Sequence, residues 1–218
     1  VVDEISKPSS TLAESPGTVA VLDLSNFPMT SQDLTTFSDW LAVVPVRKLI
    51  LENCALTDTS VRAILSALLS TKTVEQMRYR RRRSRRPESP DSNDHERYGV
   101  VEKLSLKDNT KIGREGWRHI SLFLHLSKSL KAIDLSGIPF PQGQIVIDGP
   151  GTTGQPQSHM ADVSIIFASA LAERFAGDYL EELLMSECYP SVNAVKQICQ
   201  ATTQMGLRRL GFANNGLT

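Results

Sequence analysis

Histidine is the side chain most often used for acid–base catalysis, and this chain has four of them, His95, His119, His125 and His159. A catalytic histidine needs a nucleophile or a carboxylate within hydrogen-bond reach. None of the four stands in a known pattern with a serine, cysteine, aspartate or glutamate, and Asp162, close after His159, suits the start of a helix better. The sequence therefore predicts no catalytic residues and no enzyme activity.

The cysteines and glycines likewise predict no metal or phosphate site. Cys54, Cys188 and Cys199 form an odd set without the spacing of zinc ligands, which indicates a reducing compartment. Gly113 and Gly116 lack the strand and the closing Lys-Ser/Thr pair of a phosphate-binding loop, so we expect them to serve a turn and close helix packing. No metal, no cofactor and no small-molecule substrate are expected.

The densest charge lies between Arg78 and Arg86, a stretch that holds seven of the 24 basic residues and precedes a mostly acidic one. Such a composition buries too little apolar surface to order itself, so we expect a disordered insertion at about 73–98. Its charge suits nucleic acid, acidic lipid or a nuclear-localisation patch. Ser84 after three arginines and Ser89 before a proline are candidate phosphorylation sites. The plain alternative is a solvated loop whose two halves partly neutralise each other.

A broader candidate surface consists of polar residues that recur beside pairs of leucines. Side chains of a strand alternate between two faces, so these polar residues point away from the core. Aligned across several strands they form mixed-sign columns that suit a protein partner, with an ordinary solvated face as the alternative. The predicted partner-binding residues are Arg47, Lys48, Glu52, Glu102, Lys103, Ser105, Lys107, Asp108, Lys131, Asp134, Glu181, Glu182, Glu187, Arg208 and Arg209.

The elements that position these residues repeat along the chain. One unit has apolar residues at positions 1, 4 and 6 and a small polar or apolar residue at position 9, followed by a helical apolar pattern. We expect a flexible lead-in at 1–17 and one domain at 18–218 of about six repeats, with a second disordered insertion at about 141–160. The units begin at Val19, Val46, Val101, Leu130, Leu180 and Leu207, and the last is cut short.

A period of 27 to 29 residues with a helix in each unit resembles the ribonuclease-inhibitor type of leucine-rich repeat. The implied fold class is α/β, a curved solenoid with a parallel sheet on its concave side and helices on its convex side. In such repeats the residue at position 9, here Asn109, hydrogen-bonds backbone groups of the turn. We expect the apolar template positions to form the core, with Cys54 and Cys188 as structural thiols too far apart to bridge.

Composition sets further limits. The chain has 218 residues, of which 40% are hydrophobic and 22% charged, values ordinary for a globular domain. It contains no apolar run of about 18 residues, so no membrane span is expected. The sequence opens with Val1 rather than Met, and we expect it to be part of a longer protein. We expect a cytoplasmic location, with the nucleus as an alternative through the Arg-rich block.

The third and fourth repeats carry a more specific resemblance. Residues 104–117, LSLKDNTKIGREGW, and 129–135, SLKAIDL, are similar to the protein phosphatase 1 regulatory subunit 37 family and its fungal relatives, some of which are described as cell-wall biogenesis or microtubule-associated proteins. The resemblance covers about residues 18–217 apart from the two insertions. It implies a non-enzymatic regulator that binds the catalytic subunit of protein phosphatase 1.

Docking to the phosphatase in that family uses a motif of a basic residue, Val or Ile, any residue, and Phe or Trp. Residues 209–212, RLGF, match it loosely but belong to a repeat strand, so we expect the docking motif outside this sequence. We favour a protein-interaction scaffold, with phosphatase regulation as its finer form. The alternatives are a GTPase-activating accessory protein of the Ran-activator kind, which shares the repeat type, and a binder of membrane or, less favoured, nucleic acid through the Arg-rich block.

Overall fold

Six parallel strands and five helices make up the main body of the computed structural model, which describes residues 17–72, 99–150, 156–174, 180–203 and 205–216. The six strands lie in chain order, and two further strands pair with each other. The fold is therefore the mixed α/β class with a parallel sheet that the repeat pattern predicts. The strands are β1 (Val19–Asp23), β2 (Val46–Ile50), β3 (Lys103–Ser105), β4 (Ala132–Asp134), β5 (Gln144–Pro150), β6 (Pro156–Asp162), β7 (Glu182–Leu184) and β8 (Arg209–Gly211), and the helices are α1 (Ser31–Val43), α2 (Asp58–Ser70), α3 (Arg114–Leu126), α4 (Val163–Ala172) and α5 (Val192–Thr203).

One apolar residue from each strand of the main sheet builds a row through the core. The four inner members of this row are at most 2% exposed, and burying each side chain stabilises the fold by about 1.5–3 kcal/mol. The row explains why a single unit is not stable alone, because each side chain is covered by the units on both sides. Its members, paired in register, are Leu22, Leu49, Leu104, Ile133, Leu183 and Leu210.

The helices pack side by side against this apolar face of the sheet, each in contact with the next. Three aromatic rings fill the space between α3, α4 and the turn of the fourth unit. Trp117, Phe140 and Phe167 meet edge to face with ring centroids 4.7 to 6.1 Å apart. The indole Nε1 of Trp117 donates to the carbonyl of Pro139 at 3.0 Å, so the buried ring keeps its hydrogen bond.

Most helices begin at a residue that satisfies their first amide groups. Thr30 forms a capping box with Asp33 at α1, and Thr57 accepts a backbone hydrogen bond in the first turn of α2. Asp162 accepts from the amide of Ser164 at the start of α4, at 2.9 Å. Asp162 thus has the helix N-terminal role that the sequence predicts.

Helix α3 begins at Gly113, which has no side chain to cap it. The carboxylate of Asp58, the first residue of α2, takes this role from the neighbouring unit, and its Oδ1 accepts from the Gly113 amide at 2.5 Å. This approach requires a second glycine, because a Cβ at Gly116 would lie 2.6 Å from Asp58 Oδ1 and 2.5 Å from Ile112 Cγ2. Gly116 therefore serves close packing, and Asp58 is the group that it admits.

The asparagine at position 9 of the third unit closes two turns at once. The Oδ1 of Asn109 accepts from the amides of Cys54 and Leu56, both at 3.0 Å. Its Nδ2 donates to the carbonyls of Leu51 at 2.7 Å and Leu106 at 2.8 Å. The side chain is fully buried, so these bonds satisfy backbone groups that water does not reach. The predicted role of Asn109 is confirmed, and it extends to the turn of the preceding unit.

Asn215 repeats this arrangement in the last unit. Its Oδ1 accepts from the amides of Cys188 at 2.7 Å and Tyr189 at 2.8 Å. Its Nδ2 donates to the carbonyls of Met185 at 2.8 Å and Phe212 at 3.0 Å. The same side chain therefore joins the fifth and sixth units.

The two cysteines at position 9 also bond to the unit before them, in their case through the thiol. The Sγ of Cys54 lies 3.1 Å from the carbonyl of Leu24, and that of Cys188 lies 3.2 Å from the carbonyl of Leu135. Both are buried and free, and burial raises the pKa of both thiols, that of Cys188 to about 12. They are structural thiols, in agreement with the sequence interpretation.

The second insertion differs from the sequence expectation. The sequence predicts disorder at about 141–160, but β5 and β6 pair antiparallel from Gln144 opposite Asp162 to Pro150 opposite Pro156. This pairing satisfies backbone groups along both strands, which a composition rich in glycine, proline and glutamine does not reveal. Helix α4 follows directly on β6, with Asp162 as its N-cap, and ends at Ala172.

Several predicted core side chains at the two ends of the sheet are exposed. Phe27 is 52% exposed and Val192 is 71% exposed, and Cys199 on α5 is exposed as well. Leu210 on β8 is 37% exposed. Phe27 belongs to the first unit and Leu210 to the last, while Val192 and Cys199 lie on α5, the last helix. Within the described part of the chain no further unit or helix covers these ends.

Two predicted segments lie outside the described residues. They are most of the lead-in, at 1–16, and the insertion at 73–98, which contains Ser84 and Ser89. In the part of the chain that is described, no helix combines the length and the apolar character that crossing a membrane requires.

Candidate protein-binding face

The face of the main sheet opposite the helices, here called the open face, carries charged residues in rows. The first, the leading row, lies at or just before the beginning of the strands. Backbone bonds join it, such as Glu102 N to Arg47 O at 2.8 Å and Lys131 N to Glu102 O at 2.7 Å. Glu181 and Arg208 continue it in the same way. The charges alternate strictly along this row, from Arg47 to Arg208.

Alternation lets neighbouring side chains of the leading row pair with each other. Glu102 lies between two cations, 3.8 Å from Arg47 and 3.0 Å from Lys131, and Glu181 lies 3.5 Å from Arg208. Partly exposed pairs of this kind contribute only about 0–1 kcal/mol each. Their consequence for binding is that these charges already have partners within the chain.

The next row, here called the lysine row, breaks the alternation. Its first charged members, Lys48 on β2 and Lys103 on β3, stand directly opposite each other. Among the residues that the structure describes, neither ammonium group has a carboxylate oxygen within 4.0 Å. Like charges in directly opposed positions are unfavourable. The full row is Val21, Lys48, Lys103, Ala132, Glu182 and Arg209.

The carboxylates near the two lysines accept hydrogen bonds from other groups of the chain. Glu182 accepts from Arg209 Nη1 at 2.8 Å, Glu52 accepts from Ser105 Oγ at 2.8 Å, and Asp134 accepts from the Ser136 amide at 2.9 Å.

Asp23 on β1 is held in a similar way. The hydroxyl and the amide of Ser25 donate to it at 2.6 and 2.9 Å and lower the pKa of its carboxyl, with a smaller contribution from the charge of Lys48. The acidic residues on this part of the face therefore keep donors of their own.

A shallow depression of about 300 Å³ opens at the centre of the face. Three apolar side chains, Ile50, Ala132 and Leu184, line it from strands β2, β4 and β7, and all three are partly exposed. Lys48 and Lys103 line the same depression. An apolar floor beside two cations can take an aliphatic side chain and an anionic group together.

Some of the predicted binding residues have a different role. Asp108 and Glu187 occupy the position before the ninth, where φ is 59° and 57°, and Asn26, Asn53 and Asn214 occupy the same place at 62°, 50° and 57°. This left-handed conformation favours asparagine, aspartate and glycine. The turn therefore accounts for the residue type of Asp108, whereas Glu187 takes the same conformation without being a residue type that favours it. Both remain exposed at the end of the face.

The structure brings most of the predicted set together on the open face. The leading row holds Arg47, Glu102, Lys131, Glu181 and Arg208, the lysine row holds Lys48, Lys103, Glu182 and Arg209, and the strand ends hold Glu52, Ser105, Lys107 and Asp134. The binding set in the sequence omitted Ala132. Ala132 is recognised as part of the face because it pairs with Lys103 in the strand register. This pairing is known only once the strands are aligned.

His119 and His125 both lie on α3 and line one pocket together with Glu173. Burial is the main cause that lowers the pKa of His119, so this imidazole is neutral near pH 7. Within the described ranges no cluster of three or more histidine, cysteine, aspartate or glutamate side chains could hold a metal ion. Arg174, whose pKa burial lowers to about 10, donates to the carbonyls of Ser127 and Leu130 and so closes the end of α3.

Comparisons with known proteins add two similarities. No protein-family model matches the chain. A stretch of 121 residues, 56% of this chain, is 30% identical to MAP-homologous protein 1 of Saccharomyces cerevisiae, and the chain spans only 7% of that protein's length. The structure resembles that of leiomodin-1 actin-binding site 2 with a TM-score of 0.54 and 13% identity, over 88% of this chain and 84% of the other. At this identity the second likeness shows the fold alone, and it fits an α/β repeat protein.

Proposed function

We propose that this chain is a non-enzymatic protein-binding module and that its partner docks on the open face. The observation that carries the proposal is the depression on the open face, where apolar side chains from three strands lie beside charges from four. A broad surface on a rigid sheet suits a protein rather than a small molecule, because a shallow site buries too little of a small ligand.

The finer architecture that we propose is a curved leucine-rich-repeat solenoid. Neighbouring strands lie about 4.8 Å apart, whereas packed helices lie about 8–10 Å apart. Each unit described between β1 and β8 contributes one strand to the sheet, and helices stand on one side only, so the helical side must be wider than the strand side. We infer that such a stack bends with its sheet inward and has the open face on its concave side.

The class of partner is a further part of the proposal. The resemblance of residues 104–117 supports protein phosphatase 1 as a candidate. The name of the structural neighbour supports actin, and that of the yeast relative supports a microtubule-associated role. These candidates differ in size and shape, so binding assays separate them. A Ran-type GTPase is a fourth candidate, through the shared repeat type alone.

Blocking the open face tests the proposal. Ala132→Arg places a long cation in the centre of the depression, and Ser66→Arg places the same side chain on an exposed position of α2. Each variant is immobilised, treated with lysate and a cross-linker, and its partners are identified by mass spectrometry. We expect the partner of the natural chain to be lost with Ala132→Arg and kept with Ser66→Arg.

Purified candidates then follow in separate assays. The catalytic subunit of protein phosphatase 1 is tested by pull-down, and actin filaments and microtubules are tested by co-sedimentation. Binding of any one of them that survives Ala132→Arg as well as Ser66→Arg would place its contact elsewhere on the chain and would contradict the open face as the docking site.

A further inference from the structure

Some cations of the open face have a carboxylate partner within the chain and others do not. In the leading row, every cation from Arg47 to Arg208 has a carboxylate at 3.0 to 3.8 Å. Arg209 in the lysine row has one at 2.8 Å. Lys48 and Lys103 stand apart from these, because the part of the chain that the structure describes offers no carboxylate within 4.0 Å of either.

The acidic groups around the depression, unlike Lys48 and Lys103, have hydrogen-bond partners within the chain. Glu52, Asp134 and Glu182 each accept a hydrogen bond from a donor of this chain at 2.8 to 2.9 Å. A basic partner would have to compete with those donors. An acidic partner would instead relieve the repulsion between the two opposed lysines without displacing those donors.

The apolar floor sets the second requirement. Ile50, Ala132 and Leu184 line the depression from strands on either side of Lys103. An aliphatic or aromatic side chain placed there removes partly exposed apolar surface from water. Because Lys48 and Lys103 border the same depression, the anionic group must lie within a few residues of the apolar one along the partner.

We propose that the occupant of the depression is an acidic segment of a partner protein, with a carboxylate against Lys48 and Lys103 and a neighbouring apolar side chain on Ile50, Ala132 and Leu184. This inference rests on the open face as the docking site and adds the chemistry of the partner segment. In this proposal Lys48 and Lys103 bind the partner, whereas the cations of the leading row pair within the chain.

Selection from a random library tests this chemistry without a known partner. The natural chain of residues 1–218 is immobilised and panned with phage-displayed random peptides of about twelve residues. We expect the enriched peptides to combine two or more aspartates or glutamates with an adjacent Leu, Ile, Val or Phe. Enrichment of basic or uncharged peptides overturns the proposal, and so does the absence of any enriched class.

Charge reversal locates the binding of an enriched peptide. The Lys48→Glu, Lys103→Glu double variant is compared by fluorescence anisotropy with a Lys111→Glu, Lys196→Glu double variant, which changes the net charge equally at exposed positions off the open face. We expect the first to weaken binding at least about tenfold and the second by less than about twofold. Raising the salt from about 50 to about 300 mM should weaken binding to the natural chain. Circular dichroism and urea unfolding check that both variants are folded.

The outcomes separate this inference from the proposed function. If binding is lost with Ala132→Arg but kept with the Lys48→Glu, Lys103→Glu variant, the open face stands as the docking site and the acidic segment is rejected. If binding of the peptides survives both Ala132→Arg and the Lys48→Glu, Lys103→Glu variant, both are rejected, because the selected site then lies elsewhere.

Discussion

The turn around Cys54 and the turn around Cys188 have the same construction in different surroundings. In each, the cysteine donates to the unit before, and an asparagine of the next unit accepts from the cysteine amide. Each turn also has two left-handed residues, Asn53 and Ala55 in the first and Glu187 and Tyr189 in the second. Cysteine and asparagine therefore act as complementary residues at position 9 of successive units.

The contact between a cysteine and the asparagine of the next unit is here called a junction. The two junctions, Cys54 with Asn109 and Cys188 with Asn215, differ in the length of chain between the cysteine and its asparagine. Cys54 and Asn109 are 55 residues apart, whereas Cys188 and Asn215 are 27 residues apart, yet the hydrogen bonds to the cysteine amides measure 3.0 and 2.7 Å. The additional 28 residues, 55 minus 27, leave the junction unchanged. The geometry is thus set by the strand register and the asparagine, and the connection is free to lengthen.

Removing the asparagine side chains should give the largest decrease in the free energy of unfolding. The loss should differ between the two junctions. Asn109→Ala leaves buried amides and carbonyls of two units without partners, and we expect the free energy of unfolding to fall by about 4 kcal/mol. Asn215→Ala should cost about 2 kcal/mol, because its junction belongs to the last described unit, where water replaces part of the lost bonds. Urea unfolding measures both values.

Asn109→Asp serves as the matched control for this pair of changes. It keeps an oxygen for the amides of Cys54 and Leu56 but loses the donor to Leu51 and Leu106. Equal losses for Asn109→Ala and Asn215→Ala would show that the two junctions do not differ in how well water reaches them.

Alkaline pH should probe the second junction through Cys188. Burial raises the pKa of this thiol from its ordinary value of 9.0 to about 12. Its contribution to stability is complete below about pH 9 and is lost as the pH rises towards 12, because the unfolded chain releases the proton first. We expect the free energy of unfolding at pH 11 to be lower by about 3 kcal/mol from this group alone.

The Cys188→Ala variant isolates the contribution of the thiol from those of lysines and tyrosines. Its stability should fall less steeply than that of the natural chain between about pH 9 and pH 11. Parallel pH profiles of the two proteins would show that the thiol ionises alike in the folded and unfolded states.

Gly116→Ala should reveal a contact present at the first junction. Replacing a glycine inside a helix by alanine normally stabilises it by about 1 kcal/mol. Here the added Cβ would meet Asp58 Oδ1 at 2.6 Å and Ile112 Cγ2 at 2.5 Å. We expect a net loss of about 2 kcal/mol by thermal or urea unfolding, whereas Ser66→Ala on exposed α2 should be neutral or slightly stabilising. A stabilising Gly116→Ala would mean that Asp58 moves away without loss.

Deleting residues 74–97 should have the smallest effect. The deletion brings the separation of Cys54 and Asn109 close to that of Cys188 and Asn215. Loop-closure entropy changes by only about 0.6 kcal/mol for each doubling of length, so the shorter chain should be more stable by roughly that amount. A loss above about 2 kcal/mol on deletion would contradict the view that the register and the asparagine set the first junction.

Local sequence predicts the parts of this structure that each unit carries by itself. Leu104, Leu106 and Asn109 are recognisable from their spacing because one unit repeats them, and so are the helix and the core row that follow. The role of Asp162 as an N-cap is equally local. These features depend on side chains within about ten residues of one another in the sequence, where strand and helix periodicities are strong.

The rest depends on which residues meet across units. The pairing of Glu102 with both Arg47 and Lys131 follows from the register of strands that are up to 55 residues apart, as Lys48 and Lys103 are. So does the absence, among the described residues, of a carboxylate oxygen within 4.0 Å of Lys48 or Lys103. The left-handed φ of Glu187 is hidden by its residue type, because glutamate is not a usual turn residue there. The β5–β6 pair was missed because its composition is that of a loop.

The hydrogen bond from the Gly113 amide to Asp58 has a consequence for folding. Helix α3 depends for its first turn on a carboxylate that is in place only when α2 has formed, so the order in which these helices appear is constrained. The two helices should open together as one cooperative unit rather than fray independently. The slowest amide hydrogen exchange should then be shared by both helices instead of being graded along each of them.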